Sequence, residues 1–202
     1  MRLAYSQKGF TYVEMVIVVS LYTILLLAVG NAISSFYKYN AYAFAQANQV
    51  AEARRGIDRM VRDIREMTYG DEGSYPLLIM QPHRIGFYSD IDRDDSVEYV
   101  EFTLSSTTLE KKIYNATGSP PTYSTSTVAE THILSTYVQN ILQATSTFVY
   151  YDSNGNQATA TSTVTDIRYV EARVIVNVDP IRDPGEFMLR SSSALRNLKD
   201  NL

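Results

Sequence analysis

Hydrophobic residues are distributed very unevenly along the chain. Between residues 10 and 37 the only charged residue is Glu14, and residues 15–37 form an uncharged run of 23 residues. A helix needs about 20 apolar residues to cross a hydrocarbon core of about 30 Å. The pattern therefore predicts a transmembrane helix over residues 10–37.

The charges that flank this run predict its orientation. Arg2 and Lys8 precede it with no acidic residue among the first nine positions, and Lys38 is the first charge after it. Because positive charge is retained in the cytoplasm, we expect the N-terminus there and the remaining chain on the other side of the membrane. The predicted topology is a single pass through the cytoplasmic (inner) membrane.

Helical periodicity continues beyond the apolar run, through residues 38–69. Six apolar residues recur at intervals typical of one helical stripe: Val50, Ile57, Met60, Val61, Ile64 and Met67. No proline occurs between residues 10 and 75, so the chain predicts one continuous helix of roughly 58 residues, about 87 Å long. Four arginines fall mainly off the stripe, as expected for a solvated face: Arg54, Arg55, Arg59 and Arg62.

The pattern changes to that of β-strands after residue 70. Alternating or β-branched segments predict strands over residues 84–88, 98–104, 108–114, 148–152 and 167–178, with a last edge strand over 187–190. Residues 117–127, rich in Ser, Thr and Pro, predict an exposed loop, and residues 133–142 a short helix. A long helix followed by an antiparallel sheet is an α+β fold, in which the sheet covers the apolar stripe of the helix.

Composition narrows the chemistry that this chain could perform. It has no cysteine and two histidines, His83 and His132, which excludes disulfides, thiolate metal sites, a cysteine nucleophile and a histidine-rich metal centre. The formal net charge of −4 argues against non-specific nucleic-acid binding as the main role. We therefore expect a non-enzymatic protein with no catalytic residue, metal or cofactor.

One acidic segment has the spacing of a calcium-binding loop. Its acids stand at the first, third, fifth, ninth and twelfth places of such a loop: Asp90, Asp92, Asp94, Glu98 and Glu101. However, Asp95 occupies the sixth place, where the sharp turn requires glycine. Because the flanking residues alternate as strands do, an acidic hairpin turn is the favoured interpretation and Ca²⁺ binding is the alternative.

The first residues contain a more specific motif. The segment Lys8-Gly9-Phe10-Thr11-Tyr12-Val13-Glu14, followed by Met15-Val16-Ile17-Val18-Val19, combines a short basic leader ending in glycine, an aromatic residue, a glutamate four residues later and a hydrophobic helix. It resembles the class III signal of type IV prepilins and type II secretion pseudopilins. The resemblance implies a pilin-like fold, cleavage between Gly9 and Phe10 by a membrane prepilin peptidase, and N-methylation of Phe10.

The resemblance also implies four regions along the chain. Residues 1–9 would be the prepilin leader peptide, and residues 10–37 the transmembrane and assembly helix. Residues 38–69 would continue this helix into the head, and residues 70–202 would form the antiparallel β-sheet head.

Glu14 needs an explanation of its own, because a carboxylate in lipid costs several kcal/mol unless it is paired. Cleavage would create an α-amino group at Phe10. Pairing Glu14 with the Phe10 amine of a neighbouring subunit would satisfy both charges, and Glu14 would then set the register of assembly. The alternative is that Glu14 reaches the cytoplasmic interface beside Lys8.

Two segments point to a subgroup of this family. Residues 57–66 and 192–198 are similar to J-type minor pseudopilins and W-type minor pilins, which implies a minor subunit at or near the fibre tip. The implied partners are other pilin or pseudopilin subunits, the prepilin peptidase, the inner-membrane assembly platform, and membrane lipid before assembly. The implied destination is a fibre at the cell surface or in the periplasm.

Two other functions fit the same pattern. A single-pass receptor or adhesin that does not polymerise would keep its N-terminus uncut. A competence pseudopilin would contact DNA through the arginines of the helix. The formal net charge of −4 becomes −6 without Arg2 and Lys8, which argues against the DNA-binding role.

Overall fold

The computed structural model describes residues 9–94, 96–159, 162–181 and 185–195. One helix, α1, runs over Tyr12–Arg65 without interruption for 54 residues. The predicted continuous helix is therefore confirmed, with ends within two residues of those expected. The chain divides into two compact units, Met1–Phe44 and Ala45–Leu202, and the second is called the head below.

Among the described residues ten strands follow α1, and eight of them form two main antiparallel sheets. The large sheet has the order β1-β2-β3-β4-β7. Its strands are β1 (Leu77–Gln81), β2 (Arg84–Ser89), β3 (Glu98–Ser105), β4 (Thr108–Tyr114) and β7 (Glu130–Ser135). The small sheet has the order β10-β9-β8, with β8 (Phe148–Tyr151), β9 (Tyr169–Val176) and β10 (Phe187–Ala194).

Two shorter pieces complete the head. A two-residue hairpin consists of β5 (Ala116–Thr117) and β6 (Thr122–Tyr123). A single 3₁₀ turn spans Val164–Asp166. Helix and antiparallel sheets thus give the α+β fold that the sequence predicted.

The core of the head is built from the apolar stripe of α1 and from both sheets. Five of the six stripe residues are at most 6% exposed, namely Ile57, Met60, Val61, Ile64 and Met67. They belong to one buried cluster with Phe87, Phe102 and Phe148 of the strands. The rings of Phe87 and Phe102 stack with centroids 5.8 Å apart. Burial of this apolar surface is the main driving force for folding of the head.

The opposite face of the large sheet carries a second, aromatic cluster. Tyr88, Tyr99 and Tyr114 are each at most 5% exposed, and Tyr123 of β6 packs on Tyr88 with ring centroids 4.7 Å apart. The Tyr123 hydroxyl donates to the Val97 carbonyl at 2.8 Å. The β5–β6 hairpin therefore covers this face, and these tyrosines are structural.

The structure corrects one predicted element. Residues 133–142 were expected to form a short helix, but Glu130–Ser135 is a strand that pairs with β4, and turns follow it. Ile133 is 60% exposed whereas Leu134 is buried, which is the alternation of a half-buried strand. The strand β1, between Pro76 and Pro82, was also not predicted.

Side-chain amides extend β9 beyond the end of β8. Asn140 accepts a hydrogen bond from the Ile175 N–H at 2.8 Å and donates to the Arg173 carbonyl at 3.0 Å. At the start of the head helix, Gln46 donates to the Val176 carbonyl and accepts from the Val178 N–H. Asn140 therefore satisfies the edge of β9 that faces β8, although β8 has only four residues, whereas Gln46 binds the side of β9 that faces β10, at the end of that pairing.

A buried ion pair joins α1 to the large sheet. Lys111 Nζ lies 2.7 Å from Asp63 Oδ2, and both side chains are at most 16% exposed. Burial raises the pKa of Asp63, although the hydrogen bond and the charge of Lys111 act in the opposite direction. Because an unpaired charge here would be costly, the pair helps to select one register of helix against sheet.

Candidate functional site

The residues of the leader motif lie at the start of α1. Gly9, Phe10 and Thr11 precede the helix and are exposed, and no atom lies within 4 Å of the position that a Cβ on Gly9 would occupy. The Phe10 side chain is 81% exposed. The Gly9–Phe10 peptide bond is therefore outside secondary structure and accessible, while residues 1–8 of the predicted leader lie outside the described residues.

Glu14 and Thr11 form a capping box at the N-terminus of α1. The Glu14 carboxylate accepts hydrogen bonds from the Thr11 N–H at 3.2 Å and the Thr11 hydroxyl at 3.3 Å. In return, the Glu14 N–H donates to Thr11 Oγ1 at 3.3 Å. This reciprocal arrangement satisfies backbone donors of the first turn, and the helix dipole favours a negative charge at this end.

The role of Thr11 is a feature that the sequence interpretation missed. Ser or Thr followed three residues later by Glu is a recognised signal for the start of a helix, and Thr11 and Glu14 have this spacing. Glu14 was considered only as a partner for another subunit. In the isolated chain its carboxylate already has a local partner.

The helix segment that follows is apolar on all sides and exposed. Its large side chains, from Phe10 to Phe44, are exposed except that of Tyr42. The Ser20 and Thr23 hydroxyls donate to the carbonyls of Val16 and Val19, each at 2.8 Å, so these polar groups are satisfied without water. Within the described residues, this is one helix long and apolar enough to cross a membrane.

The acidic segment forms the connection between β2 and β3. Carboxylate oxygens of Asp90, Asp92 and Glu98 lie within 4.8 Å of one another. These groups accept hydrogen bonds from the loop's own backbone: Asp90 from the Arg93 N–H at 2.6 Å and Glu98 from the Ile91 N–H at 2.8 Å. The carboxylates thus shape the turn, which agrees with the acidic hairpin interpretation.

The carboxyl groups of this turn have pKa values shifted in opposite directions. Burial is the main cause that raises the pKa of Glu98, and the nearby charges of Asp92 and Asp94 add to it. In contrast, hydrogen bonds from Ser96 lower the pKa of the exposed Asp94 carboxyl. Asp95 lies outside the described residues.

Glu101, the twelfth position of the calcium-loop pattern, is engaged elsewhere. Its carboxylate lies 2.6 Å from Arg84 Nη2 and also accepts hydrogen bonds from Thr103 and Tyr99. Burial acts to raise the pKa of Glu101, but the hydrogen bonds from Arg84 and Thr103 outweigh it and the pKa lies below its ordinary value. Glu101 therefore binds Arg84, Thr103 and Tyr99 on the outer face of the large sheet and is not part of the acidic turn.

The helix arginines are placed as the periodicity predicted. Arg54, Arg55, Arg59 and Arg62 are exposed, while the apolar stripe residues between them are buried. These side chains therefore form the solvated face of α1 in the head.

Comparison with known proteins gave similarities at the level of structure and none at the level of sequence. No family model matches the sequence, and no curated protein matches it. The fold is similar to a chain in the crystal structure of the GspK-GspI-GspJ complex from the enterotoxigenic Escherichia coli type 2 secretion system. The TM-score is 0.45 at 13% sequence identity, and the match covers 74% of this chain and 98% of that chain. At this level of similarity, the functional assignment depends on the residues of this chain itself.

Proposed function

We propose that this protein is a non-enzymatic structural subunit of a type IV pilus or a type II secretion pseudopilus. It is made as a membrane-anchored precursor, cleaved between Gly9 and Phe10 by a prepilin peptidase, and N-methylated at Phe10. It then enters a helical fibre through its N-terminal helix. The observation that carries this proposal is the leader motif of residues 8–14 placed directly before a long, exposed apolar helix.

The geometry of the helix start supports processing at this position. A protease must bind its substrate in an extended conformation, and a helical segment would first have to unfold. Gly9 and Phe10 precede the first helical residue, Tyr12, and the missing Cβ of Gly9 allows close approach of an enzyme. Cleavage there leaves the whole apolar helix on the mature chain, so the membrane anchor is retained.

Glu14 has two partners in succession under this proposal. Before assembly, its carboxylate accepts hydrogen bonds from Thr11 of the same chain. After cleavage, the α-amino group of Phe10 is a cation at the edge of the apolar phase. A Glu14 carboxylate of the next subunit can pair with it, and in a low-dielectric environment a carboxylate interacts more strongly with a cation than with the uncharged donors of the capping box.

The remaining assignments follow from the same proposal. The head lies outside the cytoplasmic membrane, and the partners are other pilin or pseudopilin subunits and the inner-membrane assembly platform. The resemblance of residues 57–66 and 192–198 to minor subunits favours a position at or near the fibre tip, although residues 196–198 lie outside the described part of the chain. Energy for extraction from the membrane must come from a separate motor.

The decisive test is the mass of the chain in the membrane and in the fibre. We expect the fibre-bound chain to lack residues 1–9 and to carry one added methyl group. Replacing Gly9 with a bulky residue (Gly9→Leu) should leave a precursor with all nine leader residues. An uncut wild-type chain in the membrane would instead support the receptor or adhesin function.

A second variant separates the two roles of Glu14. Glu14→Gln keeps the capping box, because glutamine serves at this position too, but it removes the negative charge. We expect normal cleavage and a loss of fibre incorporation of about tenfold or more, the equivalent of at least about 1.4 kcal/mol. Normal incorporation of Glu14→Gln would show that charge pairing does not set the register.

A further inference from the structure

The edges of the two sheets differ in how they are protected. An edge strand exposes unpaired backbone N–H and C=O groups, and proteins usually block them with bulges, prolines, charges or covering segments. The strand β10 forms one edge of the small sheet. All eight of its residues pair with β9 without any register shift.

The other three edges carry such protection. β1 has a register shift between Leu77 and Ile79, and β7 has an extra residue, Leu134, at a register shift and carries the charged residue Glu130. The short β8 is covered on its free side, where the Ala158 N–H donates to the Tyr150 carbonyl at 2.8 Å. In contrast, β10 contains no proline and a single charge, Arg190.

Hydrogen bonding on the other side of β9 shows which groups of β10 point outward. The Arg173 N–H donates to the Thr147 carbonyl, toward β8, so the neighbouring residues of β9 present their backbone groups to β10. These neighbours are Ala172 and Val174, which lie opposite Ser191 and Leu189. The alternate residues of β10 therefore direct their backbone groups away from the sheet, namely Met188, Arg190 and Ser192.

Two cations share one carboxylate at the centre of this edge within the described residues. Arg190 lies opposite Arg173, and Arg173 donates two hydrogen bonds to Glu171, at 2.7 and 3.1 Å. Glu171 also accepts from the Tyr151 hydroxyl. The charge of Arg190 helps to lower the pKa of Glu171 without a direct contact, and Arg190 Nε lies 3.2 Å from the Met188 sulfur. The free edge thus presents a cation next to an exposed apolar side chain, Met188.

We propose that a neighbouring subunit of the fibre adds an extended strand to the free edge of β10. The added strand carries a carboxylate opposite Arg190 and an apolar residue opposite Met188. Backbone hydrogen bonds supply affinity in this mode of recognition, and alternate side chains supply specificity. The proposal rests on the assembly role proposed above and adds a contact between heads to it.

The neighbour is a subunit of different sequence. The strand β10 contains no acidic residue, so a second copy of β10 would place no carboxylate opposite Arg190 in any register, and the register that aligns the two arginines would place like charges together. An acidic residue of another subunit would instead pair with the guanidinium.

Amide hydrogen exchange on the full-length chain tests this pairing. We compare the chain in detergent with the chain in isolated fibres. The amides of Met188, Arg190 and Ser192 should exchange about tenfold or more slowly in the fibre, while those of Leu189 and Ser191 are slow in both states. Equally fast exchange of the three outward amides in both states would overturn the proposal. Equally slow exchange would also overturn it, because residues of the same chain would then cover the edge.

Two substitutions test the chemistry of the edge. Ser192→Pro removes an outward N–H, and Arg190→Glu reverses the charge; each should lower fibre incorporation several-fold and abolish the added protection. Arg190→Lys should retain incorporation, and Arg93→Glu, a reversal at another exposed arginine, should have no effect. Thermal unfolding checks that each variant folds. If Ser192→Pro does not fold, the result for Arg190→Glu decides the test. If the chain is cleaved and the Arg190→Glu variant enters fibres as well as the wild type does, only strand addition is refuted. If the chain is never found in fibres, both proposals are refuted.

Discussion

Thr11 and Glu14 form one residue pair at the start of α1. Each side chain accepts a hydrogen bond from the other residue's backbone N–H, which satisfies donors of the first turn of the helix. A carboxylate without any partner would be costly beside an apolar segment. The capping box removes that cost in the single chain, and the proposed assembly would exchange one partner of Glu14 for another.

Replacing Thr11 tests the cap directly. Thr11→Val keeps the shape of the side chain but loses both the donor and the acceptor. We expect the Glu14 amide to exchange about 5–30-fold faster in detergent-solubilised protein, which corresponds to about 1–2 kcal/mol of lost capping. Thr11→Ser is the matched control and should exchange as the wild type does. An unchanged rate in Thr11→Val would mean that the box does not hold the helix start.

At the level of elements, Gly56 determines how closely α1 approaches the large sheet. A Cβ at this position would lie 2.7 Å from the carbonyl oxygen of Leu134 in β7. Glycine inside a helix costs about 1 kcal/mol relative to alanine. The close approach of helix and strand explains why glycine is present here in spite of that cost.

Gly56→Ala should therefore destabilise the head although alanine is the better helix former. We expect a net loss of roughly 1–2 kcal/mol in the free energy of unfolding, because the backbone must move to relieve the contact. Gly30→Ala is the control, since apart from its chain neighbours and the backbone of its own helix no described atom lies within 4 Å of a Cβ there. Urea unfolding followed by the tyrosine signal measures both variants, and a more stable Gly56→Ala protein would contradict the packing argument.

Local patterns identified most elements but not all of them. The alternating, β-branched and aromatic residues of β3 and β4 predicted strands, and the structure places both strands within one residue of the prediction. For residues 133–142 the prediction failed because Ile133, Leu134 and Leu142 fit a helical spacing as well as a strand. Pairing of β7 with β4 decided the outcome, and such pairing between distant segments is not visible in a local window.

At the scale of the whole molecule, the charges of the head make its stability depend on pH. Hydrogen bonds lower the pKa of several carboxyl groups: Glu72, Asp94, Glu101, Asp152, Asp166 and Glu171. Two others, Asp63 and Glu98, have raised pKa values that act in the opposite direction. The first group is larger, and in acid the unfolded chain binds more protons than the folded chain at these sites.

The contribution of the first group should therefore be complete above the ordinary carboxyl pKa values of 3.8 and 4.5 and be lost as the pH falls below them toward the lowered values of the folded chain. We expect the Tm of the full-length protein in detergent to fall by about 2 °C or more between about pH 6 and pH 3. Arg84→Met, which removes the partner of Glu101, should lower the Tm at neutral pH and flatten this dependence. A wild-type Tm that stays constant or rises in acid would contradict the assignment.

The sequence by itself determined the long helix and its apolar first half. These features depend on neighbouring residues, because helix periodicity and the length needed to cross a membrane are both properties of a continuous segment. Only the tertiary structure decided which carboxylates lie close together at the β2–β3 turn and that Glu101 pairs with Arg84 instead of joining them. It also decided which edge of the small sheet is free. Those outcomes depend on contacts between distant segments, where burial, charge pairing and strand order are set together.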